Sequence, residues 1–75
     1  MRFRAMLYHG ADECWWSSDD DLLALLMRSN EAMANERRGR KGPCDGGVVF
    51  KDGAQILVLK NEHWTKEGAR GAMTL

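Results

Sequence analysis

The sequence predicts a small α+β domain: a two-layer β-α-β-β arrangement, an antiparallel-type sheet with one amphipathic helix packed on one face. Three observations carry that prediction. An alternating segment, RFRAMLYH, opens the chain; a dense leucine cluster follows; and two β-rich runs are joined by Asp52-Gly53. The 75 residues form a single domain, 1–75, and a chain of that length hides only about 60% of its unfolded surface. Hydrophobic residues make up 44% and charged residues 29%, the balance of a folded globule rather than a disordered chain.

In the first segment Phe3, Ala5 and Leu7 fall on one side and Arg2, Arg4, Met6 and Tyr8 on the other. Period two with aromatics predicts a strand with one well-buried face. Residues 10–13, GADE, break it, and the stretch ECWWSSDDDLL reads as a loop running into a capped helix. Ser17 or Ser18 is the expected N-cap. Asp20 and Asp21 follow three positions later, as in a capping box, and acidic residues in a first turn suit the positive end of the helix dipole.

The predicted helix covers residues 19–38. Leu22, Leu26, Ser29 and Met33 fall on one stripe, Leu23, Met27 and Asn30 extend it, and Leu25 widens the apolar face to one side. Arg37, Arg38, Arg40 and Lys41 stand where cations favour the dipole, Gly39 is the expected left-handed C-terminal residue, and Gly42-Pro43 is a stop. In GGVVFKDGAQILVLK the Asp-Gly pair is the preferred two-residue hairpin turn. A plain register places Val48, Phe50, Leu57 and Leu59 on one face and Val49, Ile56 and Val58 on the other. One helix covers one face only, so a second apolar face needs another occupant. Residues 61–75 give no firm pattern; 72–75 are the expected short C-terminal edge strand.

Charge narrows the function classes. The net charge is zero, and the pI of 6.7 is below the value of about 9 expected of a nucleic-acid-binding domain. Residues 1–36 carry seven acidic and three basic side chains; residues 37–75 carry four acidic and eight basic ones. No run approaches the roughly 18 apolar residues of a membrane span, and the start lacks the apolar core of a signal peptide, so no membrane contact and a cytoplasmic location are expected. In that compartment Cys14 and Cys44 are expected as reduced thiols.

No catalytic constellation is present, and no cofactor is expected. His9, Cys14, Cys44 and His63 are metal-ligand types, but no pair has the close spacing of a structural zinc site, so no metal is expected either. The expected function is a non-enzymatic interaction module, expected as a homodimer by its uncovered face, that occludes a surface of another protein in the manner of small phage or mobile-element accessory proteins. Its expected contact residues are Trp15 and Trp16, since tryptophan is enriched at interface hot spots, with the acidic Asp12, Glu13, Asp19, Asp20 and Asp21. The alternative is a nucleic-acid binder using the basic run Arg37, Arg38, Arg40 and Lys41, with Trp64 or Tyr8 stacking on bases.

Overall fold

A computed structural model describes residues 2–66. The expected strand at 72–75 lies outside the described residues. The elements are β1 (Phe3–His9), β2 (Asp12–Asp19), α1 (Leu22–Arg37), β3 (Gly46–Lys51), β4 (Ala54–Lys60) and β5 (His63–Thr65). They make one antiparallel five-stranded sheet in the order β2-β1-β3-β4-β5, with the helix across one face. The α+β class is as the sequence predicts, with two more strands than expected.

The first extra strand corrects the reading of residues 12–19 as a loop. Ser17 and Ser18 are strand residues paired with Ala5 and Arg4, not helix caps. The cap is Asp21, in extended conformation, whose carboxylate accepts the Leu23 backbone N–H at 3.0 Å. Asp19 accepts the Asp21 N–H at 2.8 Å, so the aspartates build the strand-to-helix turn, and no acidic residue remains in the first helical turn.

The helix face is also rotated from the expected one. Leu25, Ser29, Ala32 and Met33 are buried, with Leu22 and Leu26 packed beside them. Leu23 and Met27 are 67% and 61% exposed. Leu25, expected at the margin, is at the centre: the sheet selects the stripe i, i+4, i+7, i+8 from a leucine cluster that offers two. At the C-terminus, Arg38 is the cap with ordinary right-handed angles; the positive φ falls on Gly42 instead of Gly39.

In the β3–β4 hairpin, Asp52 and Gly53 both have positive φ, 49° and 86°, as a type I′ turn requires. Lys51 pairs with Ala54 and Phe50 with Gln55, but a bulge then shifts the register, so that Val49 faces Leu57 and Val48 faces Val58. The extra residue moves Leu57 to the core side beside Ile56. The inner face therefore holds Phe3, Ala5, Leu7, Val49, Ile56 and Leu59, all buried. Val48 and Phe50 are on the outer face, where the shift brings Val58, expected beside Val49 and Ile56; Leu59, expected beside Val48 and Phe50, moves with Leu57 to the core side.

Trp64 of β5 closes the core from the far edge. Its indole N–H donates to the Ser29 Oγ at 3.0 Å, and the Ser29 hydroxyl donates to the Leu26 carbonyl at 2.7 Å. The ring passes over Gly47, where a Cβ would meet Trp64 Cη2 at 3.0 Å and Leu7 and Leu59 at 3.1 Å. A side chain there would force these neighbours apart.

Candidate functional site

Trp15 and Trp16 are consecutive strand residues, so they point to opposite faces. Trp15 faces Leu7 and packs against the buried cores on both halves of the inner face. It packs into the core rather than standing on the outer face. Trp16 faces Met6 on the outer side and is 56% exposed. The Arg4 guanidinium lies 5.8 Å from its ring centroid, a cation–π distance.

Around that pair the outer face is made of Met6 and Tyr8 from β1, Val48 and Phe50 from β3, and Val58 from β4. Met6 and Val48 are cross-strand partners, as are Val48 and Val58, so the apolar side chains form a continuous band across three strands. The Tyr8 hydroxyl turns to the Met6 sulfur at 3.7 Å. Arg2, Arg4, Phe50, Asp52 and Gly53 line an open hollow of 370 Å3 at one end. The face as a whole spans about 20 Å of strand length by about 20 Å of sheet width. Among the described residues no element covers it.

The acidic residues do not form one surface. Asp12 and Asp19 lie at opposite ends of β2, about 23 Å apart along the strand. Asp12 is 3.9 Å from Lys41, Asp20 pairs with Arg2 at 3.2 Å, and Asp19 pairs with Arg28 at 2.9 Å. The Asp21 backbone N–H, and then Arg28, hold the Asp19 carboxyl below its usual range. Arg28 also donates to Ser17 Oγ and to the Ser18 carbonyl, fastening β2 to the helix. Asp19 and Asp21 thus hold the turn together. Glu13, exposed, pairs with Tyr8 and flanks the Trp16 side of the outer face.

Three of the four residues of the basic run, Arg37, Arg38 and Lys41, are similarly engaged. Arg37 donates twice to Glu62, at 3.0 and 2.8 Å, and Arg38 donates to the Asn35 side chain. Trp64, expected as a stacking residue, is committed to Ser29 in the core.

One cluster goes beyond the sequence reading, which named His9, Cys14, Cys44 and His63 as ligand types and set them aside for want of close spacing. His9, Cys14 and Cys44 each bring a ligand-type atom within 4.8 Å of the others; His63 stands elsewhere, at the start of β5. Cys14 faces inward because β2 has a bulge: Leu7 pairs with Trp15 and Tyr8 with Glu13, leaving Cys14 as the unpaired residue between them. The thiols are free, with sulfurs 3.9 Å apart. Glu36 of the helix meets His9 Nε2 at 2.8 Å. Burial foremost, then the contacts with Cys44 and Glu36, pushes the Cys14 thiol up to about 12. Burial also raises Cys44. Protonated thiols of this kind are poor nucleophiles at neutral pH.

A scan against protein-family models matches none, and neither the curated proteins nor the solved structures yield a match. No helix among the described residues is long and apolar enough to cross a membrane.

Proposed function

We propose that the protein is a non-enzymatic interaction module that works by laying the outer face of its sheet on the surface of another protein. The observation that supports this reading is Trp16, more than half exposed beside Arg4 on an apolar face that no described element covers. Trp and Arg are the residue types that anchor protein interfaces, and Met6, Val48, Phe50 and Val58 provide the water-excluding surround. Glu13 is the one residue of the expected acidic set that lies on this face. Inhibition by occlusion follows naturally from such a broad, shallow surface, which buries a partner's surface without enclosing a substrate.

The test compares three forms of the full-length chain as affinity baits: wild type, Trp16→Ala with Phe50→Ser, and Leu23→Ser with Met27→Ser. The second pair removes exposed apolar groups from the helix and is the control. A partner held by wild type and the helix variant, and lost by the outer-face variant, supports the reading. A partner lost only by the helix variant overturns it. Light scattering on the same proteins identifies a second copy of the chain as the occupant, if the mass doubles in wild type and not in the outer-face variant.

A further inference from the structure

We propose that His9, Cys14 and Cys44 form a Zn2+ site, with the Glu36 carboxylate held against the His9 ring beside it. The inference is independent of the outer face, since the cluster lies on the core side of the sheet.

The geometry is that of a tetrahedral corner. Zn–S bonds of about 2.3 Å at tetrahedral angles place two thiolates about 3.8 Å apart, and the Cys14 and Cys44 sulfurs stand 3.9 Å apart. The His9 ring nitrogen completes a triangle within reach of both. Glu36 contacts the His9 ring at 2.8 Å and also approaches the Cys14 thiol. A carboxylate so placed orients the ring, as acidic partners of zinc-bound histidines do. Two sulfurs and an imidazole are a Zn2+ donor set, with the fourth position open to water.

The backbone aims these groups together. His9 ends β1, Cys14 is turned inward by the β2 bulge, Glu36 is in the last helical turn, and Cys44 is in the α1–β3 connection. A regular β2 would send Cys14 to the outer face beside Trp16. Glu36, Glu62 and Asp45 all bear electrostatically on Cys44, an anionic surrounding that opposes bare thiolates and favours a dication. In the metal-free chain the thiols keep their protons; binding Zn2+ releases them, so affinity rises with pH. The ion would tie three separate parts of a thin-cored domain, the role a structural metal has in small proteins.

The test titrates the reduced full-length chain with Co2+, the spectroscopic stand-in, and then with Zn2+. The expected result is thiolate-to-cobalt charge-transfer absorption saturating at one ion per chain, displaced by Zn2+ with proton release and a rise in Tm. Cys14→Ser and Cys44→Ser should each remove the absorption, His63→Ala should leave it unchanged, and Glu36→Gln should weaken Zn2+ binding by about 10–100-fold. Because a serine variant could fail to fold, wild-type thiol alkylation is measured as well. Zn2+ should protect both cysteines, and a chelator should restore their reactivity. Absence of the charge-transfer band in the reduced wild type, unprotected thiols at saturating Zn2+, or a band that survives loss of either cysteine in a folded variant would each overturn the assignment.

Discussion

The two faces of one sheet are built from the same kinds of residue and have different fates. The inner face, Phe3, Ala5, Leu7, Val49, Ile56 and Leu59, is buried by the helix, with Trp15 and Trp64 closing its flanks. The outer face, with Met6, Tyr8, Val48, Phe50 and Val58, meets no helix and carries the exposed Trp16. Apolar composition alone does not distinguish core from contact surface in this chain. What distinguishes them is the number of covering elements: one helix, one face.

Substitutions on the two sides should therefore separate stability from binding. The largest effect is expected at the inner face: Ile56→Ala should cost about 2–5 kcal/mol by leaving a cavity, read from chemical denaturation. Gly47→Ala should cost about 1–3 kcal/mol through overpacking, because Trp64, Leu59 and Leu7 already converge there. A denaturation midpoint unchanged by this methyl group would mean that Trp64 does not lie over β3. Ser29→Ala should cost about 1–3 kcal/mol by leaving the Trp64 N–H and the Leu26 carbonyl without their shared hydroxyl; Ser29→Thr is not a rescue, since the site is fully buried.

The pH dependence sharpens the contrast, since the raised thiols belong to the inner side. A group whose pKa is higher folded than unfolded keeps its proton in the fold after the unfolded chain has lost it. The stability associated with Cys14 is thus complete below its ordinary 9.0 and is lost as pH rises from there towards about 12. Denaturation midpoints of the metal-free chain should fall across that window, and a Cys14→Ser variant should fall less steeply. The smallest stability effect is expected at the outer face: Trp16→Ala removes a stacking contact with Arg4 of about 0.5–1 kcal/mol, measured by the same denaturation. A loss comparable to Ile56→Ala would show that Trp16 supports the core.

The same division explains what the sequence disclosed. Strand β1, the helix and the β3–β4 hairpin follow from period two, a leucine cluster and Asp52-Gly53, all local signals. Strand β2 did not, because DECWWSSD is rich in Asp and Ser, which favour turns and caps, and the bulge at Cys14 interrupts its alternation. Trp15 and Trp16 still obey period two, so one faces the core and the other the outer side. β5 is three residues long and follows a turn in which Asn61 and Glu62 both have positive φ; glutamate is not a residue that announces such a turn. Arg37 instead anchors Glu62 from the helix. The bulge in β4 moved Leu57, Val58 and Leu59 each to the face opposite the one a plain register gives it. Spacing rules for metal ligands read neighbours in the chain, and here the ligand types lie at 9, 14 and 44. Only the fold, with its β2 bulge and helix crossover, brings them together.

The most direct measurement is the solvent accessibility of methyl groups in the full-length chain, read by NMR with a soluble paramagnetic agent at concentrations where light scattering gives the mass of one chain. Strong broadening at Met6, Val48 and Val58, with protection at Leu7, Val49 and Ile56, is the predicted result. Outer methyls as protected as the inner ones would contradict it, for the face offered to a partner would already be covered.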